Sequence, residues 1–399
     1  MISNCRSCFS SELKSIVNLG VQYLSDFRSD KSKPDSYPLN LLLCARCNLV
    51  QLDTTVSRDL MYHDGYGYKS GINELIINNL KMLVTYGMEV NNDPKSWLDI
   101  ACNDGTLLSL LPSHVFRVGV DPVKKFKALS ETHADLIVDD YFPSEATRNL
   151  SSFDVITSIS MFYDIDDPNQ FVKDVREKLS ADGVWIIQQN YLLAMLQNNS
   201  FDNICHEHIE YYSLKAMKYL MDNNDLEIFD VFLDDINGGS LITAIAHKGK
   251  RHVAQSVEIQ LQRELDFGLE SMKPYEDFEA RVNRIKVELT DLLVSIKLTG
   301  KRVQIYGAST RGATIWQYLN IDENLVESAV ERQHEKIGKF FSAVGIPIIS
   351  EDQMRINPPD YLLVGPWFLK ESFVKREVDF LEHGGRFLFP LPEVEIVSL

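Results

Sequence analysis

Two histidines and a carboxylate stand side by side at His206, Glu207 and His208, shortly after an apolar run that predicts a buried strand. Imidazole titrates near neutral pH, and a neighbouring carboxylate can orient its ring and stabilise the imidazolium. A general base that removes a proton next to a carbonyl group needs these properties. A histidine pair can also chelate a metal, and such residues can form a purely structural polar cluster. The residue types favour acid–base catalysis over both alternatives.

A tyrosine-rich loop lies far upstream of the histidines and contains Tyr66 and Tyr68. A phenol can donate a hydrogen bond to a keto oxygen as that oxygen gains enolate charge. Packing of the same glycine-rich loop over a neighbouring domain is an equal alternative. Asn237 opens a further polar turn between two predicted strands, and its Gly-Gly sequence is more typical of a hairpin than of a site.

A second candidate site lies where the predicted strand at 96–101 leads into a helix. Its small and polar positions are Asp99, Ala101, Asn103, Gly105 and Thr106. Small residues let the backbone approach a ligand, and the N-terminus of the following helix presents free N–H groups. Asp121 ends the next strand, where a carboxylate is placed to accept hydrogen bonds from ribose hydroxyls. The pattern predicts a nucleoside-containing cofactor.

The glycine content of this loop separates two cofactor classes. A nicotinamide cofactor needs a GxGxxG loop for its pyrophosphate, whereas only Gly105 is glycine here. A cofactor without a pyrophosphate suits the loop better, so the sequence favours S-adenosylmethionine. Asp140 and Tyr141 follow the third predicted strand and are placed to border an adenine. The structural alternative is that these acids only cap strands and helices.

Four of the six cysteines form two CxxC pairs, Cys5 with Cys8 and Cys44 with Cys47. Each pair lets two thiolates reach one ion from a tight turn, and two pairs complete a tetrahedral site. Disulfides or unrelated thiols are the alternatives, and zinc is favoured over both in a reducing compartment. Because four cysteines leave no open coordination position, we expect a structural zinc ion.

Bulk properties exclude several function classes. The formal net charge is −17, and an acidic surface repels phosphate backbones, so nucleic acid is not an expected partner. The N-terminus lacks the pattern of a signal peptide, and no apolar run is long enough to span a bilayer. We therefore expect a cytoplasmic protein without a membrane partner. The sequence indicates no oligomeric state.

The patterning divides the chain into four parts. Residues 1–60 hold the CxxC pairs, and residues 61–250 alternate predicted strands with helices. Residues 251–298 have helical spacing and predict a linker, and residues 299–399 alternate again. Such alternation predicts an α/β protein with parallel sheets. In the last part Ser309 and Arg311 open a helix and could hold a diphosphate, the alternative being an empty nucleotide fold kept for packing.

Taken together, these segments resemble the sugar C-methyltransferases that build branched-chain deoxysugars. The N-terminal motifs are NCRSC and CARCNLVQL. The central motifs are LDIACNDGTLL, MFYDIDDP, CHEHIEYYSL and INGGS. The C-terminal motifs are YGASTRG, VERQHEKIGK, PDYLLVGPW and FLFPLP. The resemblance implies a small zinc-binding domain with four cysteine ligands, a class I Rossmann-like methyltransferase domain and a second Rossmann-like domain that binds a nucleotide-sugar.

The reaction implied by the resemblance starts from a nucleotide-linked 4-keto-6-deoxysugar. A base removes the proton from the carbon beside the ketone, which is C3 or C5. The enolate then attacks the methyl group of the sulfonium through that carbon. His208 corresponds to the base and Glu207 to its partner, and one of the two loop tyrosines corresponds to the family's phenol. The expected substrate-binding residues are Asn237, Ser309, Arg311 and Trp367.

One position departs from the family pattern. Where relatives place a tyrosine directly before His-Glu-His, this chain has Cys205, and a thiol is a weaker hydrogen-bond donor than a phenol. Two alternatives to carbon methylation follow. One is an O- or N-methyltransferase acting on a nucleotide-sugar, and the other is a nucleotide-sugar-binding protein without catalytic activity.

Overall fold

Residues 1–61 and 69–399 are described by the computed structural model, so Tyr66 and Tyr68 lie outside the described residues. The N-terminal segment forms four strands. They are β1 (Leu13–Tyr23), β2 (Phe27–Arg28), β3 (Ser36–Cys44) and β4 (Val50–Leu52). β1 and β3 form a long antiparallel pair whose exposed and buried residues largely alternate, as a half-buried sheet requires.

The central segment forms a seven-stranded sheet in the order β7-β6-β5-β8-β9-β12-β11. Its strands are β5 (Ser96–Ile100), β6 (Phe116–Val120), β7 (Leu136–Val138), β8 (Phe153–Ile159), β9 (Leu179–Asn190), β11 (Leu226–Asp234) and β12 (Ser240–His247), with β10 (Glu210–Tyr211) outside this sheet. The alternation of strands and helices predicted for this segment is present, with five strands at β5 to β9. They run parallel, and β12 lies antiparallel to both of its neighbours.

Helices connect these strands. They are α1 (Glu74–Val90), α2 (Thr106–Ser109), α3 (Lys127–Ser130), α4 (Glu145–Arg148), α5 (Pro168–Lys178), α6 (Leu192–Gln197) and α7 (Leu214–Asp222). The strand order reverses between β5 and β8, because β5 continues to β6 on one side while β8 pairs on the other. In open parallel sheets ligands bind at such a switch point, outside the carboxyl ends of the strands.

Two helices occupy the segment predicted to be a helical linker, namely α8 (Gln255–Phe267) and α9 (Lys273–Leu298). α9 buries an apolar face at helical spacing that includes Phe278, Val282 and Ile285, and its other faces are charged. Among the helices of the described residues, none combines the length and the apolarity needed to cross a membrane.

The C-terminal segment forms the second α/β unit. Its strands are β13 (Val303–Tyr306), β14 (Ala329–Glu331), β15 (Phe340–Phe341), β16 (Ile346–Ser350), β17 (Tyr361–Val364), β18 (Arg386–Phe389) and β19 (Glu395–Val397). Its helices are α10 (Thr310–Tyr318), α11 (Glu351–Ile356), α12 (Lys370–Arg376) and α13 (Val378–Glu382). The parallel core has the order β18-β17-β13-β14-β16, with a switch point between β13 and β17.

Two short strands join parts of the chain that the sequence patterning treated as separate. β10 extends the N-terminal sheet by pairing antiparallel with β4, and β2 extends the C-terminal sheet by pairing with β15. An edge strand has unpaired backbone groups that any second strand can satisfy, whatever its side chains. Strands of two residues carry no periodicity, so the sequence could not reveal these connections.

Candidate active site

A cavity lies at the carboxyl ends of the central parallel strands. Six of the predicted cofactor-binding residues line it, namely Asp99, Ala101, Asn103, Asp121, Asp140 and Tyr141. The Asp99 carboxyl accepts a hydrogen bond from the Thr157 hydroxyl at 2.7 Å, and its burial raises the pKa to about 7. The residues are separated along the sequence but converge, because parallel strands end at one edge of the sheet.

The loop after β5 turns sharply to leave room for a ligand. Ala101 and Asn103 have positive φ angles of 62° and 51°, although neither residue is glycine. Such left-handed conformations cost free energy and concentrate at functional sites. The loop therefore adopts a left-handed backbone conformation at two positions where glycine would cost less free energy.

Gly105 and Thr106 follow this loop and are not among the residues that line the cavity. Gly105 has a φ of 77°, and a Cβ there would stand 2.8 Å from the Cα of Ser130. Close packing against Ser130 thus requires glycine. The Thr106 hydroxyl donates to the Asp104 carboxylate at 2.5 Å and stabilises the first turn of α2. Cofactor contact by either residue stays a prediction.

Asp121 fixes the loop and faces the cavity. Its two carboxylate oxygens accept hydrogen bonds from the backbone N–H groups of Asn103 and Val123, each at 2.8 Å. Burial raises the pKa of this carboxyl, while the two N–H groups act in the opposite direction. Each oxygen can accept a second hydrogen bond, so Asp121 can hold the loop and ribose hydroxyls together.

The substitution Asp121→Ala should weaken S-adenosylmethionine binding by about 10- to 100-fold, because hydrogen bonds to a charged group contribute about 1.5–3 kcal/mol. Isothermal titration calorimetry of the purified protein measures the change in Kd. The matched control is Asp135→Ala, which removes a surface carboxylate paired with Arg117 just before β7. Equal affinities of the Asp121 variant and the parent chain would contradict the assigned role.

Arg58 is a cavity residue that the sequence analysis missed. It lies in a short helical turn of the N-terminal segment, and its guanidinium stacks on the Tyr141 ring with 4.6 Å to the ring centroid. The Asp140 carboxylate accepts the N–H of Tyr141 at 2.8 Å and so fixes this part of the wall. No local motif surrounds Arg58, so only the tertiary structure brings it to the cavity.

The two histidines of the His-Glu-His segment point into different surroundings. His206 is buried against the N-terminal sheet, where its Nε2 lies 3.1 Å from the Tyr37 carbonyl oxygen. The Nδ1 of His208 lies 3.0 Å from the Asn203 carbonyl oxygen. A carbonyl oxygen only accepts, so Nδ1 must carry the proton and Nε2 keeps its lone pair.

Burial lowers the pKa of His208 to about 3, and the positive charge of Arg311 acts in the same direction. The imidazole is therefore neutral at physiological pH. Its ring packs edge-on against Tyr163, with 4.4 Å between the ring centroids. A neutral imidazole with a fixed tautomer and a free Nε2 lone pair has the form of a general base.

His208 lines a small second cavity together with Tyr163, Asn190 and Glu210. Asp164 directly follows Tyr163, and Gln188 precedes Asn190 by two positions on the same face of β9. Both Asp164 and Gln188 line the large cavity. Neighbouring residues of the same two segments thus line the two cavities, and His208 lines only the small one.

Glu207 does not occupy the position inferred from the resemblance. The Asn203 carbonyl, and not the Glu207 carboxylate, is the partner of His208 at Nδ1. Glu207 instead accepts a hydrogen bond from the Cys205 thiol, and burial raises the pKa of the Glu207 carboxyl. The tight turn at 203–208 explains the difference, because it folds a backbone carbonyl onto the imidazole.

Three of the four predicted substrate-binding residues meet at the boundary between the central and C-terminal segments. Arg311 donates from Nε to the Asp202 carboxylate at 2.8 Å and from Nη1 to the Asn237 carbonyl at 2.7 Å. The Trp367 indole N–H also donates to Asp202, at 3.1 Å. Ser309 lies apart from this contact and caps α10 by accepting the Gly312 N–H at 3.1 Å. The Trp367 indole and the Nε and Nη1 donors of Arg311 are thus engaged within the protein, and Arg311 Nη2 lies 2.7 Å from Asp202 Oδ2 in an ion pair.

The four paired cysteines form one compact cluster. Their Sγ atoms all lie within 4.8 Å of one another, with 3.5 Å between Cys5 and Cys47 and 3.4 Å between Cys8 and Cys44. A tetrahedral zinc ion with bonds of about 2.3 Å needs sulfur atoms about 3.8 Å apart. All four cysteines are buried and none forms a disulfide. The cluster fits zinc.

Comparison with known proteins shows which proteins this chain is similar to. Three family models match consecutive parts of the chain: a zinc binding domain at residues 5–62, a methyltransferase domain at 68–231 and a C-methyltransferase C-terminal domain at 235–392. The C-methyltransferase NovU of Streptomyces niveus is 27% identical over 409 residues, which cover 100% of this chain and 97% of that protein. The chain is thus similar to C-methyltransferases along its whole length, and the matched domains are those of an S-adenosylmethionine-dependent C-methyltransferase.

The inferred resemblance and fold class of this C-methyltransferase are thereby confirmed, as are its two cofactors, S-adenosylmethionine and zinc. Solved structures align with less than half of the chain. A methyltransferase from Clostridium acetobutylicum ATCC 824 is 18% identical, covering 43% of this chain and 92% of that one with a TM-score of 0.36. The N-methyltransferase NodS of Bradyrhizobium japonicum WM9 is 11% identical, covering 44% and 98% with a TM-score of 0.35.

Proposed function

We propose that this C-methyltransferase methylates a ring carbon, C3 or C5, of a nucleotide-linked 4-keto-6-deoxysugar through an enolate. The observation that carries the proposal is the state of His208. Its imidazole is neutral, its Nδ1 proton is held by the Asn203 carbonyl, and Nε2 keeps its lone pair. The ring lines the small cavity, together with residues that neighbour those of the large one. Methylation of carbon needs such a base, because the carbon proton must leave before the carbon becomes nucleophilic.

His208 takes the proton from the carbon beside the ketone onto Nε2. The Asn203 carbonyl stabilises the resulting imidazolium, because it already accepts the Nδ1 proton. Burial opposes this charge, so the imidazolium is short-lived and returns its proton readily. Orienting a weakly acidic carbon against the base contributes more than the strength of the base alone.

The enolate oxygen needs a hydrogen-bond donor. Cys205 takes the place of the tyrosine found in relatives, but its thiol is buried and engaged with Glu207, so it is unsuited to that task. We assign the role to Tyr66 or Tyr68, which lie outside the described residues. A phenol placed at the keto oxygen would stabilise the negative charge as it develops.

S-adenosylmethionine supplies the methyl group from an activated sulfonium. The residues that line the cavity at the carboxyl ends of β5, β6 and β7 would hold it, with Asp121 proposed for the ribose and Asp140 and Tyr141 for the adenine. The carboxylates of Asp121 and Asp140 also suit a ligand that carries positive charge. Methyl transfer then requires only alignment of the carbon with the methyl group.

We further propose that the nucleotide part of the substrate binds to the C-terminal unit. Ser309 at the N-terminus of α10 is the residue proposed for the diphosphate, because helix N–H groups favour phosphate oxygens. Arg311 and Trp367, already engaged with Asp202, would border the same region. Asn237 lines the large cavity and could contact the sugar.

Deuterium exchange tests the reaction. The enzyme is incubated in D₂O with a nucleotide-linked 4-keto-6-deoxysugar and without S-adenosylmethionine, and mass spectrometry follows the sugar. Deuterium incorporation beside the ketone is expected, followed by methylation at the same carbon when the methyl donor is added. O- or N-methylation would give a methylated product without exchange, and an inactive binding protein would give neither.

A further inference from the structure

Asp202 connects the central segment with the C-terminal unit, and the proposed reaction assigns no role to this contact. It is completely buried in the short helical turn Phe201–Asn203, just before the His-Glu-His segment. One oxygen, Oδ2, accepts hydrogen bonds from the Arg311 guanidinium at 2.8 Å and from the Trp367 indole at 3.1 Å. Both donors belong to the C-terminal unit, whereas Asp202 belongs to the central one.

The next residue, Asn203, holds the imidazole of His208. Its carbonyl oxygen receives the Nδ1 proton of His208 at 3.0 Å and the Tyr211 hydroxyl at 3.2 Å. Its side-chain oxygen accepts a hydrogen bond from Asn190 at 3.0 Å. A single peptide unit therefore separates the anchored carboxylate of Asp202 from the carbonyl that decides where His208 carries its proton.

A third donor from the C-terminal unit reaches the same turn. The Thr314 hydroxyl, on α10, donates to the Ile204 carbonyl at 3.2 Å. Residues on both sides of Asn203 are thus tied to the C-terminal unit. A turn held at both ends cannot rotate its central carbonyl freely, and this rotation would release Nδ1 of His208.

We propose that Asp202 is a positioning residue through which the C-terminal unit sets the tautomer of His208. With the turn anchored, the Asn203 carbonyl keeps the proton on Nδ1 and leaves Nε2 as the acceptor. With the anchor lost, the proton can move to Nε2, which then has no lone pair for a substrate proton. The inference rests on the proposed function in one respect, namely that Nε2 of His208 accepts the substrate proton.

The tautomer is measured directly by ¹⁵N NMR of the histidine ring nitrogens in the full-length protein, with the His208 signals assigned by their loss in His208→Ala. In the parent chain we expect a pyrrole-like signal for Nδ1 and a pyridine-like signal for Nε2. In Asp202→Asn the two signals should move toward each other. Deuterium exchange into the keto-sugar should fall by about 10- to 100-fold, with little change in KM.

Asp202→Asn leaves the positive charge of Arg311 buried and could prevent folding, so a gentler variant accompanies it. Trp367→Phe removes the indole N–H that donates to Asp202, together with one ring of the indole, and keeps a six-membered aromatic ring without introducing an unpaired charge. It should show a smaller change of the His208 signals in the same direction. The matched control is Gln317→Ala, which removes contacts between α10 and the Tyr23 backbone but none to the 202–204 turn.

An unchanged His208 tautomer in a folded Asp202→Asn or Trp367→Phe variant overturns the inference. So does an equal change in Gln317→Ala, because it would mean that any weakened contact of the C-terminal unit disturbs the ring. If the tautomer shifts as expected but His208→Ala still exchanges deuterium, the positioning role stands and the proposed base is wrong. The two hypotheses therefore fail in different experiments.

Discussion

Replacing His208 by alanine is expected to abolish deuterium incorporation beside the ketone and, with it, methylation of the sugar carbon. A positioned general base accelerates proton transfer by about 10²- to 10⁴-fold, so the rate that remains in the variant should be lower than the parent rate by a factor of this size. The physical reason is the free Nε2 lone pair, which alanine cannot replace. Exchange and methyl transfer are measured on the same samples, by mass spectrometry.

Two other histidines serve as comparisons for this result. His114→Ala removes an exposed imidazole paired with Asp93, at the amino-terminal side of β6 and thus at the opposite edge of the sheet from the cavity. It should leave exchange unchanged. His206→Ala removes the contact with the Tyr37 carbonyl and should reduce exchange less than His208→Ala does. Full exchange in His208→Ala would exclude this residue as the base.

Cys44→Ser is expected to lose zinc and to destabilise the N-terminal sheet strongly. Structural zinc sites in small peptides contribute roughly 10–16 kcal/mol of apparent binding free energy, and that energy is linked to folding. A serine hydroxyl cannot replace the thiolate in the buried four-cysteine cluster. Metal analysis by mass spectrometry should show less than one zinc per chain, and thermal unfolding should begin at a lower temperature.

The effect of losing zinc should extend to the active site, because the Arg6 side chain and the pairing of β4 with β10 connect the cysteine cluster to the His-Glu-His segment. Arg6, between Cys5 and Cys8, donates to the Leu52 carbonyl on β4 at 2.7 Å. β4 pairs with β10, which begins two residues after His208. Loss of the cluster therefore removes support from the His-Glu-His segment.

Cys102→Ala is the control for the metal analysis, because Cys102 is a buried cysteine of the cofactor loop outside the cluster. This variant should keep its zinc, whatever its effect on the neighbouring cavity. A Cys44→Ser protein that retains a full equivalent of zinc would show that Cys44 is not a ligand. Both variants are compared with the parent chain after the same purification.

The sequence by itself determined the features that depend on neighbouring residues. Strands β5 to β9 follow from short apolar runs ended by polar residues, and the CxxC spacing predicts the four-cysteine cluster. The position of Asp121 after β6 also follows from the alternation of strands and helices, because a parallel sheet brings the ends of its strands together. Local sequence patterns are enough to predict features that depend on the repeating geometry of strands, helices and CxxC turns.

Only the tertiary structure decided which partners these residues have. Arg58 reaches Tyr141 across separate segments, and Arg311, for which a diphosphate is predicted, pairs with Asp202 of the central segment. The Asn203 carbonyl takes the place at His208 that the resemblance gave to Glu207. Such contacts form when distant parts of the chain pack together, and a buried polar group bonds with whichever partner that packing brings within reach.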